Sequence, residues 1–272
     1  MIATKKKVFD KFAKEEIESD YIYPIEYGGP KPIEEQIRKI AKIFNLDATQ
    51  ALVYAKNLQP CPNCAEGRFA IPSVEALAKK YFPKINNASE KYCYAVNLVQ
   101  KKIVKSRGLA QWIFCSIFGR AGTNFLSIWP IHLKRTARTE YALRVIAETQ
   151  KSDILIIDCQ LGMLHRGRSA RRSRALFESN EFGLDSLAIG SIILTNPQRF
   201  ARDEELHILC AGDEYSSSIY GDFTEVPLYR ILDGLINLDS KYQNAVIAKY
   251  GSATAFIPQS EFESYVDKTI DP

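Results

Sequence analysis

Residues 153–158 read DILIID, four aliphatic residues closed at each end by an aspartate. A run this short and apolar, with no polar residue alternating through it, has the pattern of a strand buried on both faces. Such a strand needs other elements packed above and below it. A second run of the same kind lies in ELHILCAGDEY, residues 205–215, and ends at Gly212. The segments around these two strands have a helical period. IEEQIRKIAKIF repeats Ile33, Ile37, Ile40 and Phe44, and Asp47 offers an N-cap for ATQALVYAKNL. VEALAKKYF, SEKYCYAVNLVQKKIV with Ser89 as its cap, and TEYALRVIAETQ continue in that period. SLAIGSIIL is apolar on every side, and its length with Leu184 favours a buried helix over a central strand.

The resulting order predicts an α+β or α/β fold, with a helical N-terminal half and a small helix-flanked sheet in the C-terminal half. Three stretches follow from the composition. Residues 1–32 form an N-terminal helix and a Pro/Gly linker, YPIEYGGPKP. Residues 33–128 form a helical region, and residues 129–272 an α/β region packed on it as one continuous domain. Hydrophobic residues at 46% and charged residues at 25% are ordinary for a folded chain. The first twenty residues hold five lysines against five acids and no apolar stretch, so no secretory signal is expected. Six cysteines in a chain this long, without a signal and without dense spacing, fit a reducing compartment, and the expected location is the cytoplasm. LAQWIFCSIFG, residues 109–119, is too short for the ~20 residues of a membrane span and reads as a core helix, so no membrane partner is expected.

QPCPNCAEGRF places Cys61 and Cys64 in the second half of a zinc-deaminase pattern, but no His precedes Cys61 to supply the upstream ligand. Zinc at Cys61 and Cys64 would need two further ligands from distant positions, since Cys93, Cys115, Cys159 and Cys210 stand alone. A redox pair would follow a strand and open a helix, whereas this pair follows a helix. Structural thiols in a Pro-rich turn are the expectation, with zinc the lesser reading.

The arginines say more. Arg166, Arg168, Arg171, Arg172 and Arg174 fall within nine residues, directly after the DILIID strand, and Ser169 can cap a helix from Ala170. Cations at a helix N-terminus oppose its dipole unless an anion sits there, and the free N–H groups of that terminus favour such an anion. In an open parallel sheet, ligands also collect where this loop would lie. Residues 130–175 carry ten Lys and Arg, including Lys134, Arg135 and Arg138, against four acids, while the whole chain is only +4. A basic patch on a near-neutral chain fits a nucleic-acid backbone or another polyanion, and Trp129, Tyr141 and Phe177 lie near it for base stacking. The opposite reading has the arginines paired to acids such as Glu178, Glu181, Asp185 and Asp213.

Asp213 and Glu214 follow the second strand, with Asp222 nearby; such carboxylates can hold Mg²⁺ for phosphodiester hydrolysis, with His207 as general base. No phosphate-binding glycine loop or dinucleotide fingerprint is present, so no nucleotide cofactor is implied. The expectation is nucleic-acid binding, to RNA or single strands, through Arg166, Arg168, Arg171, Arg172, Arg174, Lys134, Arg135 and Arg138. The alternatives are a metal-dependent phosphodiesterase and an assembly protein that docks an acidic partner surface.

Overall fold

The computed structural model describes residues 10–106, 132–200, 202–218, 220–232 and 234–258. Helices α1 (Ile33–Phe44), α2 (Thr49–Ala55), α3 (Val74–Tyr81), α4 (Ala88–Ser106) and α5 (Ala137–Gln150) form where the helical spacing requires them. Asp47 accepts from the Thr49 amide and hydroxyl at the start of α2. For α4 the capping side chain is Asn87, which accepts from Glu90 N, rather than Ser89. The SLAIGSIIL segment is α7 (Ser186–Thr195), with all ten residues buried and Asp185 accepting from Ala188 N at its N-terminus. An all-apolar surface needs burial all round, and α7 obtains it from α4, α1, strand β1 (Gly67–Pro72) and strand β7 (Glu225–Leu232).

All but the first residue of the DILIID run opens β3 (Ile154–Gln160), which is buried along its whole length as its composition demands. Its sheet has the order β1-β3-β10-β4, with β10 (Thr254–Phe256) and β4 (Glu181–Gly183), and every pairing is antiparallel. A second sheet has the order β2-β6-β7-β5-β9, made of β2 (Leu133–Arg135), β6 (Asp213–Tyr215), β7, β5 (His207–Leu209) and β9 (Tyr250–Ser252), with β8 (Leu235–Tyr242) paired to β7. Only β5 and β9 run parallel among these pairs. The fold is therefore α+β, and the parallel-sheet argument for a ligand at the end of β3 does not apply. The chain passes from one sheet to the other between β9 and β10. Gly183 and Gly212 meet backbone to backbone at this seam: a Cβ on Gly183 would lie 2.4 Å from Gly212 N.

Two expectations change. The region 33–128 contains a strand: β1 pairs with β3 over six residues, so the sheet joins it to the region that follows. Its GRFAIP sequence is too short and too Gly/Pro-bounded to have a helical period. Residues 10–20 are turn and extended chain rather than helix, because their backbone and acids are bonded elsewhere, as described below. The LAQWIFCSIFG segment, Cys115 and Trp129 lie outside the described residues.

Candidate functional site

The loop after β3 is built on Gln160. Its side-chain oxygen accepts from Gly162 N (2.7 Å) and Leu164 N (3.2 Å), and its amide donates to Ser252 O and Thr254 Oγ1. A single 3₁₀ turn, Met163–His165, follows. His165 is buried and bonds Glu181 through Nε2 at 2.7 Å, while Glu181 also accepts from Thr254. Ser169 accepts from Arg172 N and so caps α6 (Ala170–Ala175). The arginines thus project from a fixed base.

An anion does sit at this helix terminus, and it belongs to the same chain. Residues 10–19 lie along the loop as an arm. Ile17 N donates to Gly167 O (2.9 Å), Ser169 N donates to Glu15 O (3.0 Å), and Glu16 and Arg168 form a bridge of antiparallel β type. Ser169 Oγ donates to a Glu15 carboxylate oxygen (2.7 Å), and Arg171 Nε reaches both oxygens of that carboxylate (2.7 and 2.8 Å). Arg171 also lies over the Phe12 ring, 4.8 Å from its centroid. Arg168 Nε donates to Glu16 (3.0 Å), and Arg172 is shared between Glu16 (3.4 Å) and Asp10. These bonds hold both glutamates below the usual carboxylate range, Glu15 mainly through Arg171 and Glu16 mainly through Arg172.

The remaining arginines of the segment serve the body. Arg166 donates to Tyr21 O. Arg174 is tied to the carbonyls of Ala211 and Asp213 and to Gln243, and burial lowers its pKa. Arg138 is spent on the carbonyls of Glu178 and Ser179, and Lys134 pairs with Glu214 (3.2 Å). Arg135 pairs with Asp185 through Nε (2.7 Å). The predicted set of eight cations is therefore not one open patch. The residues that sequence reasoning missed are Asp10, Glu15 and Glu16. Their only signal was the EE pair in a charge-balanced segment, and no spacing rule links it to arginines about 150 positions away.

The acidic cluster does not converge either. Asp213 is fully buried and accepts from Tyr92 Oη (2.7 Å), Ser186 N (2.7 Å) and Ser186 Oγ. Burial and the nearby Asp185 carboxylate push it up to about 7 against these bonds. Glu214 faces the other side of its strand, towards Lys134, and Asp222 accepts from Ser216 Oγ in a loop. His207 is 5% exposed, bonded to the Asp203 carbonyl and stacked on Tyr250 at 5.9 Å. Burial and Lys249 lower its pKa to about 4.

Cys61 is half-buried and bonded to Asp158, and burial with that carboxylate pushes its thiol up to about 11. Cys64 is exposed, and the partial desolvation of its thiol by the surrounding turn raises its pKa. A reactive redox pair needs the thiolate, which both environments disfavour. Among the described residues no three His, Cys, Asp or Glu side chains group to hold a metal ion, and no helix is long and apolar enough to cross a membrane. Compared with known protein families, curated proteins and solved structures, the chain matches none.

Proposed function

We propose that the protein is a docking module whose arginine segment takes an acidic peptide in extended conformation, and that residues 10–19 fill this groove in cis. One observation carries the reading. Over Glu15–Ile17, carboxylates on Arg171 and Arg168 coincide with backbone bonds to Gly167 and Ser169. Phosphates would satisfy the arginines as well as carboxylates do. A nucleic-acid strand, however, offers no peptide N–H and C=O at strand spacing, so the backbone bonds favour a peptide. Addition of an extended segment to exposed backbone, with side-chain pockets for selectivity, is a recurrent mode of peptide recognition.

The cis arm acts at an effective concentration on the order of millimolar, so an unmodified chain should resist a competing peptide. The test uses the full chain carrying Glu15→Gln and Glu16→Gln, which loosens the arm, and a labelled peptide of residues 8–20. That variant should bind the peptide, and affinity should fall with rising salt because the pairs are partly exposed. Wild-type protein should bind it at least about tenfold more weakly, given the cis competition. Tighter binding of a single-stranded RNA than of the peptide would replace this reading with nucleic-acid recognition. Binding of neither would overturn it.

A further inference from the structure

A cavity of about 830 Å³ opens between the first turns of α3 and α4 and one face of α5, away from the arm. Cavities of roughly 300–1,000 Å³ are those that take small molecules. Its walls mix the apolar side chains of Ile71, Val74, Leu143 and Leu155 with Tyr92, Arg135 and charged side chains of both signs, among them Lys134, Glu140, Arg144 and Glu148.

Arg135 is held on two sides. Its Nε donates to Asp185, and its guanidinium carbon lies 4.5 Å from the centroid of the Tyr92 ring. Asp185 and Tyr92 are themselves fixed, the first by Ala188 N at the start of α7 and the second by Asp213. The Arg135 side chain is only 16% exposed, yet among the described residues nothing hydrogen-bonds its two terminal nitrogens. A guanidinium has five N–H donors, and a fork with its plane fixed and its outer donors unused matches a two-oxygen acceptor. The apolar part of the lining offers a surface for an apolar body.

We infer that this cavity binds a small amphipathic anion, with a carboxylate or phosphate head on the Arg135 fork and an apolar body against Ile71, Val74, Leu143 and Leu155. An inorganic anion would leave the walls wet, and a neutral apolar molecule would leave the fork unpaired. The site is independent of the arm groove.

The experiment is calorimetric titration of the full chain with 2-naphthoate, 2-naphthyl phosphate and the headless 2-naphthol. At least one anion should bind about tenfold or more tightly than 2-naphthol, and the better of the two identifies the head group. Arg135→Lys keeps the charge but loses the fork, and should weaken that anion about tenfold. Ala88→Trp, at an exposed position on the cavity wall, takes up part of the space while leaving the Arg135 side chain itself unchanged, and should weaken binding about tenfold. Equal affinity for all three probes, no binding of either anion, or full binding by Ala88→Trp would overturn the inference. The Glu15→Gln/Glu16→Gln chain should bind the anion unchanged, which separates this test from that of the docking groove.

Discussion

At Asp213, burial and the Asp185 carboxylate oppose ionisation, while the Ser186 amide, its hydroxyl and Tyr92 favour it. The first pair prevails, and the folded protein holds this proton up to about pH 7, against an ordinary value of 3.8. The sign for stability follows from linkage. Between those two values the folded state binds more protons than the unfolded one, so this residue's contribution is fully present below the ordinary carboxylate range. It is lost as pH rises towards 7. In Asp213→Asn the amide oxygen can still accept from Ser186 N, and the NH₂ group can donate to the Tyr92 hydroxyl, which rotates to accept. The variant should therefore lose stability less steeply than wild type between pH 5 and 8. Urea denaturation of both proteins at those two pH values measures this. A wild-type curve with the same pH slope as the variant would contradict the account. A carboxylate that ends a strand beside Gly212 reads in the sequence as a metal ligand. Its burial under Tyr92 and α7 depends on elements that no local pattern connects.

Among the elements, those with strong internal signals were legible: α1, α3, α4 and α5 from their period, α7 from the length of its apolar run, β3 from its unbroken but shorter one, and α6 from Ser169 ahead of Ala170. Strand β1 was not, because GRFAIP has neither alternation nor length. The arm was read as a helix from its composition, but its conformation is set by partners on the far side of the chain. Gly167 shows how close that contact is. Its φ is +71°, and a Cβ there would lie 2.2 Å from Ile17 O. Gly167→Ala therefore combines a left-handed backbone with a clash against the arm, and should cost at least about 1–3 kcal/mol. The arm should respond before the body does. Hydrogen exchange should find the Ile17 and Ser169 amides unprotected in the variant, with β3 amides still slow. Retained protection at Ile17 would show that the arm does not depend on this close approach.

For the whole molecule, the basic block at residues 130–175 is balanced from within. Asp10, Glu15 and Glu16 neutralise Arg168, Arg171 and Arg172, Asp185 neutralises Arg135, and Glu214 neutralises Lys134. Charge counted along the chain found the excess of Lys and Arg in this block, but it could not reveal that separate acids pair with these cations instead of leaving one open face. The α+β class was legible from the order of elements; the antiparallel pairing was not, since strands this short carry no mark of direction. As proposed, the arginine face selects an acidic peptide by matched residue pairs rather than attracting any polyanion. The most direct test is a charge exchange between Glu15 and Arg171. The full chain with Arg171→Glu, carrying Glu15→Gln and Glu16→Gln to free the groove, is titrated with the arm peptide and with the same peptide carrying Glu15→Lys. The account predicts that the unchanged peptide loses about tenfold or more in affinity on this chain, the scale of one charge-assisted hydrogen-bonded pair, and that the lysine peptide recovers most of it. If both peptides bind the exchanged chain equally, or both fail while any polyanion still binds the unexchanged groove, the pairing of Glu15 with Arg171 is not what the face recognises.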